Sequence, residues 1–272
     1  MSLSNIIPID YIDSEKAQII YDRVVRVAGR DRASSSLQCL REVDYETFHR
    51  AVSSEPAPMG YNAFAVAYGP RPDNKTIFDS PERLLASGNY VAVPMILGSM
   101  EDEGTLISLF QSNVTTTVLL AQYLKQLYFW RASESELADY ANTYGNGFSG
   151  AVLGSPFRTG TDNDLFPDYK RRAALLGDYL FTLTRRLTLL LTSYANPSIP
   201  SWSYLGSFAQ RTPYLGTGHG SDIVPIFSGN TTIHAANQLR TAFLNFIYTL
   251  DPNGKEPGKT PTWPLCELEY SG

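Results

Sequence analysis

The chain has 272 residues, of which 43% are hydrophobic, 12% aromatic and 18% charged, enough apolar mass for a sizeable core and too little charge for a disordered chain. A balance of 22 Lys and Arg against 27 Asp and Glu gives a formal charge of -5 with no basic block, which excludes nucleic acid as an expected partner. The longest apolar runs, around Val91–Leu97 and Leu187–Leu191, fall well short of the roughly 20 residues of a spanning helix, so no transmembrane segment is predicted.

The first element is an amphipathic helix. Ala17, Ile20, Tyr21, Val24, Val27 and Ala28 recur at spacings of three and four, with Ser14 as N-cap and Gly29 as stop. A polar stretch, Arg30–Ser36, leads to a short helix over about Asp44–Ser54, and Pro56 and Pro58 then break regular structure across Ser54–Asn62. Phe64–Tyr68 reads as a strand, followed by a turn-rich segment and a short helix over Pro81–Ser87 that ends at Gly88. Tyr90–Leu97 is nearly continuous in apolar residues, as in a strand buried on both faces of a parallel sheet, although Pro94 cannot donate to a ladder. That strand is expected to stop at Gly98-Ser99, directly before the acidic tripeptide Glu101-Asp102-Glu103.

Three helices come next: Val114–Trp130, one opening on the capping box Ser133-Glu134-Ser135-Glu136, and one over Asp168–Thr192. A glycine-rich loop, Tyr144–Asp164, separates the last two. Ser201–Gln210 is the next strand, Gly216–Asp222 a polar loop after it, and Thr231–Leu250 a final amphipathic helix. Strands alternating with long helices predict an α/β layer architecture. No internal repeat and no dividing linker is visible, so the chain is read as one piece, 1–272.

In open parallel sheets the functional groups gather beyond the carboxyl ends of the strands. Glu103 lies six residues past Leu97, and His219 lies in the glycine-rich loop after the second strand. An acid that orients an imidazole, and an imidazole that takes a proton from a nucleophile, are two thirds of a catalytic triad. Spacing alone does not separate that pair from two unrelated loop residues. His49 and His234 read as structural histidines in mid-helix, and Arg185-Arg186 as a solvated helix edge. No His/Cys/Asp/Glu cluster has the spacing of metal ligands and no phosphate-cradling glycine motif is present, so neither a metal nor a cofactor is expected. Cys39 and Cys266 can form at most one bridge, and their pairing is left open. Three sequons, at Asn74, Asn113 and Asn230, are candidate glycosylation sites, whereas Met1–Asn5 shows no signal peptide.

The wording of several segments is more specific. Val93–Thr105, containing Gly98-Ser99-Met100-Glu101-Asp102-Glu103-Gly104, resembles the strand and loop that carry the triad acid in type-B carboxylesterases, and Gly218-His219-Gly220-Ser221-Asp222-Ile223 resembles their histidine segment. Within that family the chain is most similar to extracellular fungal lipases of the Candida and Geotrichum type, through Gly154–Gly160, Leu175–Tyr179, Phe181–Arg186, Leu37–Arg41 and Asp251-Pro252-Asn253. The resemblance implies an α/β-hydrolase fold and ester hydrolysis by a Ser-His-Glu triad, with Glu103 holding the tautomer of His219 and His219 acting as general base and then acid. Asp222 is read as a supporting residue or loop cap outside the triad.

The departures matter as much. In this family the nucleophile sits in a glycine-flanked elbow upstream of the acid, and nothing before Glu103 resembles that elbow, the oxyanion loop or the lid. The chain therefore corresponds to about the C-terminal half of such an enzyme: the C-terminal part of a mostly parallel sheet flanked by helices. Arg30 stands where the family places the cysteine partner of Cys39. Gly147-Phe148-Ser149-Gly150-Ala151 is a near miss to an elbow, and Ser149 is read as a loop serine. The expected partner is an ester or lipid substrate once an N-terminal half completes the site, and the expected setting for the full-length protein is extracellular. An unpaired sheet edge predicts self-association of the chain alone. Two other readings stay open: a non-catalytic, cholinesterase-like binding module, and a degenerate fragment.

Overall fold

The computed structural model describes residues 6–55, 57, 59–208, 210–227, 234–255 and 261–266. Pro56, Pro58, the sequon at Asn230 and the expected start of the last helix at Thr231 lie outside the described residues. The chain divides into two compact units, one of residues 8–81 and one of residues 1–7 with 82–272.

The smaller unit is helical. The stripe of the first helix forms α1 (Glu15–Val27), whose N-cap Ser14 accepts a hydrogen bond from the Ala17 amide. Val24, Val25 and Ala28 cluster with Leu40 of α2 (Ser36–Glu42) and Ala51 of α3 (Tyr45–Val52), closing a small core. No helix was expected at α2. Asp44 caps α3, accepting from the Thr47 amide at 2.8 Å. Phe64–Tyr68 is no strand. Ala63 and Phe64 have φ of 41 and 64°, and the amides of Ala63, Ala65 and Val66 donate to carbonyls two or three residues back, so successive tight turns take the donors a ladder would need. Next, Asp73 Oδ1 accepts from the amides of Lys75, Thr76 and Ile77 at 2.8–3.0 Å. The unit ends as α4 (Pro81–Ala86) begins.

Among the described residues the larger unit is built on two parallel strands, β1 (Met95–Met100) and β2 (Ser201–Gly206), registered from Met95 opposite Ser201 to Met100 opposite Gly206. β1 starts only after Pro94, and Val91 and Val93, expected inside it, are exposed. It also runs through Gly98-Ser99 instead of stopping there. Gly98 is required because the Tyr204 ring crosses it: a Cβ would lie 2.0 Å from ring carbons. Between the strands come α5 (Gly104–Ile107), α6 (Thr117–Leu127), α7 (Glu134–Asn142), α8 (Gly147–Leu153), α9 (Tyr169–Gly177), a π turn (Asp178–Thr182) and α10 (Leu183–Ala195). The predicted capping box is present: Ser133 and Glu136 bond each other's backbone amides.

The expected single helix over Asp168–Thr192 is α9 and α10 joined by the π turn. On α10 the buried hydroxyls of Thr184, Thr188 and Thr192 donate to carbonyls one turn back, so a polar stripe is satisfied by α10 itself and the π turn before it. The expected loop Tyr144–Asp164 contains α8, which places Ser149 in a helix. Beyond β2 come α11 (Ile223–Phe227) and α12 (His234–Thr249), and the residues directly before His234 lie outside the described ones. Arg185 is half-buried and donates to the Ser203 hydroxyl, whereas Arg186 is exposed as expected. Among the described residues, no helix is long and apolar enough to cross a membrane.

Candidate active site

The chain leaves β1 at Met100, and its next three residues, all acidic, face three different partners. Glu101 forms a two-pronged ion pair with the exposed Arg158 guanidinium. Asp102, 2% exposed, accepts from the Ser155 hydroxyl at 2.6 Å, the Phe157 amide at 2.9 Å and the Thr217 amide at 2.9 Å. Glu103, 1% exposed, accepts from the Met100 amide through Oε1 at 2.6 Å and meets His219 Nδ1 through Oε2 at 2.6 Å.

Each partner is brought in by the fold. Asp102 bridges in parallel to Gly218 and its amide donates to the Thr217 carbonyl, so the histidine loop runs beside the acid loop as a short continuation of the sheet. Thr105 Oγ1 donates to the Leu215 carbonyl at 2.8 Å and the Tyr169 hydroxyl to the Tyr214 carbonyl at 2.7 Å, pinning the approach to that loop. Behind the acid, α5 presses on α9. A Cβ at Gly104 would lie 1.9 Å from the Ala173 carbonyl oxygen and 2.6 Å from the Gly177 nitrogen, so only glycine permits the contact.

The imidazole of His219 is held on two sides. Besides Glu103 it packs on the Phe181 ring, with centroids 5.0 Å apart and planes at 44°. Phe181 projects from the π turn, a widened turn of a kind often found beside functional groups. The His219 side chain keeps 24% of its surface exposed, against 1% for Glu103. A buried carboxylate on Nδ1 favours the tautomer with the proton there, which leaves the Nε2 lone pair as the basic position. This arrangement can accept a proton from a nearby hydroxyl and return it.

Asp222 stands one turn beyond the histidine and is 1% exposed. Its Oδ2 accepts from the Tyr204 hydroxyl at 3.3 Å, its carbonyl accepts from the Ile226 amide, and Oδ1 is buried with no hydrogen-bond partner among the described residues. Burial pushes its carboxyl above the ordinary range, with the His219 charge opposing. The other sequence candidates lie elsewhere. Ser149 Oγ donates to the Asn146 carbonyl and accepts from the Asn146 amide, capping α8. His49 stacks on Tyr45, and His234 contacts Gln238. Asn74 and Asn113 are exposed. Cys39 and Cys266 are free thiols, the second raised in pKa by burial. Among the described residues no three His, Cys, Asp or Glu side chains converge as a metal site would require.

Sequence reasoning missed Asp102, Ser155 and Phe181. It also missed the buried cations of α9, where Lys170 Nζ donates to the Gly160 carbonyl at 2.6 Å and Arg172 to the Val114 carbonyl at 2.6 Å. The one available signal was the tripeptide itself, three consecutive acids directly after a strand read as buried.

The profile of the carboxylesterase family matches residues 8–271. The chain belongs to this family. A secreted triacylglycerol lipase of Gibberella zeae is 48% identical over 97% of this chain and 44% of its own length, and lipase 2 of Geotrichum candidum is 37% identical over 90% and 43%. The crystal structure of Aspergillus niger EstA superposes with a TM-score of 0.74 at 21% identity, covering 96% of this chain and 51% of that one. The expected resemblance to carboxylesterases and Geotrichum-type lipases is thereby met, and the architecture of this carboxylesterase-family chain is of the α/β-hydrolase type. It spans about half the length of the curated relatives it matches.

Proposed function

We propose that this chain is the acid- and histidine-bearing portion, 1–272, of a carboxylic ester hydrolase of the lipase type. The observation that carries the reading is the 2.6 Å contact between His219 Nδ1 and the buried Glu103 carboxylate, at the carboxyl end of β1. In the mechanism Glu103 fixes the tautomer of His219. Nε2 then takes the proton of a serine hydroxyl as its oxygen attacks the acyl carbon, and returns it to the departing alkoxide as the tetrahedral intermediate collapses to an acyl-enzyme. Water then gives a proton to the same nitrogen as its oxygen attacks the acyl carbon, and the serine oxygen departs with that proton, releasing the acid. Asp222 supports the histidine loop and takes no proton in this cycle.

The serine and its oxyanion donors belong to polypeptide that precedes residue 1 in the whole protein. In support, the relatives are about twice as long and no elbow occurs before Glu103. Lipid esters are the substrate class, and the extracellular space the setting, in keeping with the names of the relatives and the exposed sequons at Asn74 and Asn113. Alone, the chain self-associates through strand edges that have one neighbour each among the described residues.

Purified alone, the chain is expected to show no p-nitrophenyl ester turnover and no fluorophosphonate labelling. Co-expressed with the N-terminal half of the Gibberella zeae relative, it is expected to yield an active complex. His219→Ala should silence that complex, and Glu103→Gln should slow it by at least ~10²-fold. An inactive complex that nonetheless co-purifies at equal stoichiometry would refute the reading, as would labelling of the lone chain that Ser149→Ala abolishes.

A further inference from the structure

The smaller unit contains a groove of about 730 Å³ that the proposed chemistry does not use. All of its lining comes from α1, α2, α3 and the turns after them. Val24, Leu40 and Val52 form its floor, continuous with the small core, and Ile20 and Phe48 its walls. The Tyr21 hydroxyl is tied to Ser36 Oγ at 2.7 Å and the Tyr68 hydroxyl donates to the Val52 carbonyl at 3.1 Å, so two further walls are held in place.

The charge pattern sets this groove apart. In a chain of formal charge -5, its lining holds two arginines, Arg41 and Arg71, and no carboxylate. Near Arg71, the Lys16 ammonium is held below its ordinary pKa by burial first and by the Arg71 charge second, with Asp10 opposing. Arg71 also reaches the Asp10 carbonyl at 3.5 Å, the limit of a hydrogen bond. Small-ligand sites typically enclose about 300–1,000 Å³, mostly apolar with a few placed polar groups, and this groove fits that description. A planar guanidinium matches a carboxylate with two parallel donors.

We propose that this groove binds a fatty acid, its alkyl chain along Ile20, Val24, Leu40 and Phe48 and its carboxylate on the Arg41 and Arg71 guanidinium groups. The site is separate from Glu103 and His219, so it stands or falls independently of the hydrolase reading.

The test titrates the full chain calorimetrically with dodecanoate, dodecanol and dodecyl phosphate below their micellar concentrations. Dodecanoate should bind saturably at one site and at least tenfold more tightly than either of the others. The double variant Arg41→Ala/Arg71→Ala should lose at least tenfold in dodecanoate affinity. Phe48→Asp, which places a carboxylate in the groove, should do the same by an independent route, and His219→Ala should leave affinity unchanged. A photoreactive fatty acid should label peptides within residues 17–71. Equal binding of acid and alcohol, tighter binding of the phosphate, or labelling outside 17–71 would overturn the proposal. So would a dimer that Phe48→Asp dissolves and that excludes dodecanoate.

Discussion

Asp102 and Thr217 are joined twice: the Asp102 amide donates to the Thr217 carbonyl at 3.0 Å, and the Thr217 amide donates back to Asp102 Oδ2 at 2.9 Å. One residue further along each strand of this reciprocal pair lie Glu103 and Gly218, and His219 comes next. The geometry of the acid–histidine couple is thus inherited from a neighbour that takes no part in proton transfer.

Removing that neighbour should be severe. Asp102→Ala strands three donors, the Ser155 hydroxyl and the amides of Phe157 and Thr217. Each buried donor left without an acceptor costs roughly 1–3 kcal/mol, so urea unfolding should register a loss of at least ~3 kcal/mol. Asp102→Asn, which keeps one acceptor oxygen, should lose less. Equal stability of all three proteins would refute this account of the loop.

Gly104→Ala is expected to be among the most damaging single-methyl additions in the chain. Its Cβ meets backbone atoms of α9 that cannot turn aside, and overpacking of that kind costs about 1–3 kcal/mol or more. Gly29→Ala is the control, with nothing within 4 Å of its Cβ but a φ of +68°. It should cost only the ~1 kcal/mol of a left-handed alanine. Thermal melts that rank the two in the opposite order would sink the close-packing argument.

Asp73 provides an acid-side test. Three backbone amides hold its carboxyl down to about 2, below the ordinary 3.8. An acid with a depressed folded pKa stabilises above its unfolded value and loses that contribution as pH falls through the folded one. Asp73→Ala should therefore melt below wild type at pH 6, with the gap closing between pH 4 and 2. A gap independent of pH would show that the carboxylate charge is irrelevant to this turn.

Asp222 has the opposite sign. Burial raises its carboxyl above 3.8, so its contribution is fully present below that pH and declines as pH rises through the raised value. Asp222→Asn keeps an acceptor for the Tyr204 hydroxyl and cannot ionise. It should melt above wild type at pH 7–8 and match it below pH 4. Lower stability at every pH would mean that the ionised form is the one the fold prefers.

Features decided by near neighbours in the chain were legible in the sequence. The caps Ser14 and Ser133 act over three residues, and each is found as expected. Strand ends and loop glycines single out Glu103 and His219 one by one, but only the resemblance of their segments suggested that they meet, as they do at 2.6 Å. Asp102 was not legible, since its partners lie 53, 55 and 115 residues away. Phe181 was hidden for another reason. A π turn adds a residue to one turn and so rotates the rest of the helix by about 100°, which breaks the 3.6-residue phase on which a face is assigned. The apolar run Phe64–Tyr68 misled because a strand is defined by its partner, and these residues have turns in place of one.

The pairing of Met95 with Ser201 also governs how the molecule is made. The two strands are 106 residues apart, and Glu103 and His219 are 116 apart, so closing the sheet means ordering a long intervening chain before any ladder bond is formed. Helices α5 to α10 can nucleate on the nascent polypeptide as they emerge from the ribosome. The imidazole meets its carboxylate only after β2 has been synthesised and zipped, which makes the assembly of this couple one of the last events of maturation.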